Sequence, residues 1–291
     1  MGVAEDFRAF CGELAVRKRD SIALRYARIT KRLNLDYWNS ESEVYHSFYI
    51  GSYGRGTAIG LTSDVDMLFR LPYETYERYN AYATNGQAAL LQEVRATLKK
   101  TYSVTDVGSD GSVIVVPFDD AITFEVLPAF RNDDDSYTIP NSNAGGSWKR
   151  TNPKPEIDEI ASMDEASNGN LKNICKMTRA WKATWDVPIS GLLIDTLAYS
   201  FIRGWQYRDK SYVYYDWMSR DFFDYLAGQD AGKSYWLSPG ANQYVWRTGS
   251  FEYKAKRCRN IAIEAIEHDR KQEYWSARQK WREIYGTAYP S

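Results

Sequence analysis

The strongest constraint on the fold lies between residues 47 and 71. Two short apolar runs, 47–50 and 65–71, flank a turn that holds Gly51, Gly54, Gly56 and Gly60, and Pro72 closes the second run. Short apolar runs bounded by glycine and proline read as buried strands. A sheet therefore forms early in the chain, with a glycine-rich turn passing close to it. Residues 112–116 read as a further buried strand, 117–120 as its turn and 122–127 as the returning strand of a hairpin. Phe7, Phe10, Cys11, Leu14, Ile22, Tyr26, Ile29 and Leu33 recur at helical spacing and predict one long helix over 5–33. Leu90, Leu91, Val94 and Leu98 mark one face of a helical stretch over 74–100. The segment 131–156 reads as a loop, with three aspartates in a row followed by Pro140, Gly145, Gly146, Pro153 and Pro155. Helical patterns then dominate, over 170–185, 190–207 and 251–285. This order predicts an α+β fold with two lobes. A core sheet with helices and a long N-terminal spine helix occupies 1–168, and a helical lobe occupies 169–291.

Composition narrows the chemistry. Only His46 and His268 are present, and Cys11, Cys175 and Cys258 lie far apart without Cys-x-x-Cys spacing, which disfavours zinc sites and disulfide frameworks. The 37 Lys and Arg nearly cancel the 38 Asp and Glu, so the basic excess of a dedicated duplex-binding protein is missing and no nucleic-acid partner is expected. No apolar stretch approaches the roughly 20 residues of a membrane helix. The first twenty residues mix charged and apolar residues unlike a signal or transit peptide, and the expected location is the cytoplasm.

Within that frame, three carboxylates stand out. Asp64 and Asp66 are two residues apart on a strand, so both project from the same side. Such a pair makes a hard oxygen site suited to Mg²⁺, which takes a few carboxylates plus phosphate oxygens. Upstream, Gly51 allows a backbone N–H to approach a triphosphate, and the Ser52 hydroxyl adds a donor. On the strand 122–127, Phe124 and Val126 face one way and Glu125 the other; an acid there is costly unless it is paired or binds metal. Two metals roughly 3.5–4 Å apart would activate a hydroxyl and neutralise a leaving pyrophosphate, and Glu125 is placed to accept the hydroxyl proton. Each piece alone has a plainer reading: a Gly-Ser turn, a solvated Asp-x-Asp edge, a paired strand acid. Their joint order carries the argument.

The run GSYGRGTAIGLTSDVDMLFRLP at 51–72 resembles the active-site signature of the cGAS/DncV-like nucleotidyltransferases, in their bacterial second-messenger (SMODS-type) branch. FEVLPAF at 124–130 is similar to that branch's third-acid strand, and GGSWKRTNPKPEI at 145–157 to the loop that follows. NLKNICKMTRAWK at 170–182, PISGLLIDTLAYSF at 188–201 and SIALRYARITKRLN at 21–34 extend the resemblance over roughly 20–205. It implies that Gly51 and Ser52 hold the donor triphosphate and that Asp64, Asp66 and Glu125 hold Mg²⁺ or Mn²⁺. Lys176 matches a phosphate-contacting lysine, and Ser190 a serine that caps the same phosphates. Many relatives carry aspartate where this chain has Glu125.

The resemblance further implies a cleft between the lobes in which ATP, GTP or other nucleoside triphosphates are joined into a cyclic di- or oligonucleotide, cyclic GMP-AMP being the expected product. Such a product would activate a separate effector in antiphage defence. Two alternatives remain open at this point: transfer of one nucleotide to an RNA end, a small molecule or a protein, and a catalytically silent nucleotide-binding regulator. For several residues the plainer reading is structural. Lys172, Lys176 and Arg179 fit a solvated helix face, Ser190 a helix N-cap, Trp148 packing, and Tyr212, Tyr214 and Tyr215 core or surface packing.

Overall fold

The computed structural model describes residues 2–60 and 64–291. Leu61, Thr62 and Ser63, within the signature run, lie outside the described residues. The elements follow the chain as α1 (Val3–Glu13), α2 (Arg19–Trp38), β1 (Ser47–Tyr49), α3 (Gly51–Gly54), β2 (Asp64–Arg70), α4 (Tyr73–Asn80), α5 (Gly86–Lys99), β3 (Gly108–Asp110), β4 (Val113–Pro117), β5 (Thr123–Arg131), β6 (Tyr137–Asn141) and β7 (Ser147–Thr151). Then come α6 (Pro153–Ala166), α7 (Asn170–Trp185), α8 (Gly191–Gly204), α9 (Tyr215–Ala227), β8 (Tyr235–Leu237), β9 (Tyr244–Trp246), α10 (Glu252–Arg270) and α11 (Tyr274–Tyr285). Two compact units result. The sheet unit comprises residues 17–54 and 62–154, and the helical unit comprises 1–16, 55–61 and 155–291. The division is therefore not the contiguous one expected at 168/169.

In the sheet unit the strands run in the order β1-β2-β5-β4-β3, and β6 and β7 extend from the end of β5. β2 and β5 pair in parallel, and the other neighbours pair antiparallel. The expected hairpin is present as β4 and β5, with Val115 opposite Glu125. Period-2 alternation sorts the central strands into two faces. Val65, Met67, Phe69, Phe124 and Val126 are all buried on one face. The other carries Asp64, Asp66, Leu68 and Arg70 beside Thr123, Glu125, Leu127 and Ala129. Leu68, Leu127 and Ala129 form a small apolar cluster in the middle of that second face, leaving the acids at one end and Arg70 at the other.

Four expectations need correction. The helix expected over 5–33 is two helices: Lys18 takes a left-handed conformation (φ 60°) at the start of α2, and α1 and α2 belong to different units. The stretch 74–100 likewise divides, at Asn85 (φ 37°), whose side chain caps α5 by accepting from the Ala88 N–H at 3.0 Å. The presumed loop 131–156 contains β6, β7 and the start of α6. Pro140 is tolerated because β5 pairs with β6 only at Tyr137 and Thr138, so the missing N–H breaks no ladder on that side. Pro153 and Pro155 sit in the first turn of α6, where the N–H groups have no helical partner in any case. The pattern over 251–285 is also two helices, separated at Gln272 (φ 62°).

The helical unit has one large core. Phe7 and Phe10 from α1, Leu14 just after it, Met177 and Trp181 from α7, and Trp281 and Tyr285 from α11 share it with residues of α8, α9 and α10. Phe7 meets the rings of Trp281 and Tyr289 edge-on at 5.1 and 5.2 Å. Such aromatic contacts contribute about 0.5–1.5 kcal/mol each beyond area burial. The three cysteines are buried and free. No helix among the described residues is long and apolar enough to cross a membrane.

Candidate active site

The acids gather where β2 and β5 lie side by side. Asp66 stands directly opposite Glu125 in the parallel register, and Asp64 opposite Thr123. Asp64 is exposed, Asp66 and Glu125 are half-buried, and Val65, Phe124 and Val126 between them point into the core. Burial, then the charges of Asp66 and Asp64, then a hydrogen bond shared with Asp66, push the Glu125 carboxyl up to about 7. Asp110 on β3 adds a smaller push in the same direction. Like charges held this close favour a retained proton or a bound cation.

Gly51 is fixed by the same acids. It has φ +59°, and a Cβ built on it would collide with the Asp66 carboxylate. Only glycine lets the turn close over that side chain. The backbone secures the arrangement: the Ile50 N–H donates to the Asp66 carbonyl at 3.0 Å, and the Gly54 N–H to the Ile50 carbonyl at 2.8 Å. Ser52 follows in the short helix α3, which packs against β2.

The residues fit a hard divalent cation. Among the described residues no group of three or more His, Cys, Asp or Glu side chains forms a ready cage. A Mg²⁺ site needs none, because this ion uses one or two carboxylates and completes its shell with water and substrate phosphates. The hydrogen-bonded Asp66–Glu125 pair with Asp64 beside it provides that partial set, and the charge crowding on Glu125 is the observation in its favour.

Residues 1–163 match the SMODS family, the Second Messenger Oligonucleotide or Dinucleotide Synthetase domain. The chain belongs to that family. A probable cyclic nucleotide synthase of Bacillus cereus is 22% identical over 181 residues, covering 58% of this chain and 52% of the relative; the chain thus spans about half the length of the curated relative it matches. Three solved structures share the fold. E. coli MS115-1 CdnC with ATP has a TM-score of 0.70 at 16% identity, covering 99% of both chains. Bradyrhizobium diazoefficiens CdnG with GTP has 0.67 at 11%, covering 97% of this chain and 94% of that one. Vibrio cholerae DncV, a cyclic AMP-GMP synthase bound to a linear pppA(3′,5′)pG intermediate, has 0.63 at 14%, covering 84% and 70%. The fold is that of the cGAS/DncV-like nucleotidyltransferases.

Of the residues singled out in the sequence, the sheet unit of this SMODS chain contains Gly51, Ser52, Asp64, Asp66 and Glu125. Lys176 and Ser190 belong to the helical unit. Lys176 is half-buried on α7, near enough to Cys11 to oppose the effect of burial on that thiol. Ser190 is the N-cap of α8, its hydroxyl accepting from the Leu193 N–H at 3.2 Å. Trp148 packs on Tyr76 and Phe130 and donates to Asn80 at 2.9 Å. Tyr215 is buried, its hydroxyl bonded to Asn170 at 2.6 Å.

Sequence reasoning missed a buried ionic cluster in the helical unit. Asp195 on α8 is fully buried and accepts from Arg179 at 2.6 Å, Arg55 at 2.9 Å and Thr57 at 2.9 Å. Burial alone would raise its carboxyl, but Arg179 and Arg55 outweigh that and hold it below the usual carboxylate range. Arg179 is thus not on a solvated face. The available signal was Asp195 itself, one acid inside the apolar run GLLIDTLAYSFI.

Proposed function

We propose that the protein joins nucleoside triphosphates into a cyclic di- or oligonucleotide with release of pyrophosphate. The observation that carries this reading is the placement of Asp66 opposite Glu125, with Asp64 alongside and Gly51 closed over the Asp66 carboxylate. The N–H groups and hydroxyl of the Gly51–Ser52 turn orient the donor triphosphate. Asp64, Asp66 and Glu125 would hold Mg²⁺ or Mn²⁺, which when bound neutralises developing charge on the reacting phosphate and the leaving pyrophosphate. Glu125 accepts the proton of the attacking hydroxyl, a role suited to a carboxyl that titrates near neutrality. Lys176 and Ser190 are assigned to the phosphates on the strength of the family resemblance.

ATP and GTP are the assigned substrates and cyclic GMP-AMP the assigned product. They are supported by relatives solved with ATP, with GTP and with a linear adenine–guanine intermediate. The product would act on a separate effector protein in antiphage signalling. Incubation with Mg²⁺ and labelled ATP and GTP, followed by chromatography, should yield a phosphatase-resistant cyclic product. The folded Asp64→Asn/Asp66→Asn variant should yield none. Wild-type turnover by that variant, or label recovered only on an RNA end or another acceptor, overturns the proposal.

A further inference from the structure

A second constellation lies at the other end of the same strands. Trp38 at the end of α2, Arg70 and Leu71 at the end of β2, Tyr73 at the start of α4, and Phe130 and Arg131 at the end of β5 line a partly open cavity of about 250 Å³. No acid lines it. The Arg70 guanidinium lies 5.3 Å from the centre of the Trp38 ring, and its Nε is fully buried with no hydrogen-bond partner. Backbone bonds fix this residue: its N–H donates to the His46 carbonyl at 2.6 Å, and its carbonyl accepts from the Trp38 indole at 2.9 Å. Burial, and then the Arg70 charge, hold the His46 imidazole below its ordinary value, which favours the neutral ring stacked on Trp38. Arg131 is paired with Asp135, but that pair is exposed and weak.

The sealed Nε is out of a ligand's reach, but the rest of the guanidinium faces a cavity with no acid among its lining residues, and its charge favours an oxyanion there. A cavity of about 150 Å³ suffices for benzene; one of about 250 Å³ takes a ring and an oxyanion together. A larger cleft of about 890 Å³ nearby makes a useful contrast. Both of its cations are paired, Lys100 with Asp36 and Arg78 with Glu93.

We infer that the Trp38–Arg70–Phe130 cavity is a binding site for a small aromatic anion, a ring carrying a carboxylate or a phosphate, distinct from the triphosphate site. The ring packs among Trp38, Tyr73 and Phe130, and the oxyanion is taken by the fork of Arg70, with Arg131 as the outer charge.

Calorimetry on the full-length protein tests this with four probes: benzoate, phenyl phosphate, benzamide and inorganic phosphate. Either charged ring should bind with a dissociation constant on the order of 1 mM, and the stronger of the two identifies the oxyanion. Benzamide lacks the charge and inorganic phosphate lacks the ring, so both should bind roughly tenfold more weakly. Arg70→Gln should weaken the charged ring by roughly tenfold or more, and Arg70→Lys, which keeps the charge without the fork, by less. Binding should be unchanged in Asp64→Asn/Asp66→Asn, which separates this site from the one under the acids. If Arg70→Gln fails to fold, the Arg70→Lys comparison carries the test. Equal binding of benzamide and benzoate overturns the inference, as does unchanged binding in a folded Arg70 variant. Absence of saturable binding by either charged ring also overturns it.

Discussion

Asp66 and Glu125 face each other across the parallel pair of β2 and β5 and share a hydrogen bond that requires one proton between them. Each is held by a strand, not by a loop, so their spacing follows the sheet's own repeat of roughly 4.8 Å between neighbours. Crowding of this kind has consequences that can be measured without any turnover assay.

The first concerns pH and stability. The folded Glu125 carboxyl titrates at about 7, above its ordinary value. The native state therefore holds a proton that the unfolded chain releases, and the stabilisation is fully present below the ordinary carboxylate range. It is lost as pH rises through about 7. In metal-free protein, Glu125→Gln should gain melting temperature relative to wild type between about pH 5 and pH 8. Mg²⁺ at the upper pH should raise wild type more than the variant. A difference that does not change with pH refutes the crowding.

The second concerns Gly51. With φ +59° and the Asp66 carboxylate in the way of a Cβ, Gly51→Ala must displace either the turn or the acid. Misplacement on the order of 1 Å costs around a hundredfold in rate, and the melting temperature should fall as well. Gly108→Ala, on β3 with open space around it and an ordinary φ, should leave both intact. Equal rates for the two variants would remove Gly51 from the site.

The third concerns the buried ions of the helical unit. Asp195→Ala leaves Arg179 and Arg55 buried without their shared acceptor, and loss of one partner from such a cluster costs about 3–5 kcal/mol. Chemical denaturation should show this as a lowered midpoint with unchanged slope. The exposed Arg270–Glu267 pair should be replaceable without measurable effect.

The fourth separates capping from phosphate binding. Ser190→Ala should cost about 1 kcal/mol of stability as the α8 N-cap is lost, whatever its role in binding. Lys176→Ala should weaken triphosphate affinity more than Ser52→Ala, because a charge-assisted bond is roughly twice as strong as a neutral one. Unchanged triphosphate affinity in all three variants removes these residues from the binding surface.

These residues also show what the sequence exposes. The acids were legible because strand alternation is a two-residue rule: with Phe124 and Val126 in the core, Glu125 had to face the other side. The break between α1 and α2 was not, because residues 15–18 contain neither glycine nor proline and the left-handed turn falls on Lys18. Nor was the burial of Arg179, whose acceptor Asp195 lies on α8 and is shared with Arg55, far earlier in the chain. Local periodicity records which side of an element is apolar. It does not record which distant charge will be folded against it.

The parallel pairing of β2 and β5 also fixes when during synthesis the site can exist. Between the two strands the chain must make α4, α5, β3 and β4. A nascent chain that stops before Thr123 carries Asp64 and Asp66 but not Glu125, and β2 lacks its parallel neighbour. Such a fragment has no complete acid set and presents a sheet edge open to mispairing. The distant pairing also places completion of the centre late in folding, after the intervening segment has been ordered. Truncated translation products of this protein should therefore lack the complete acid set and be prone to aggregate.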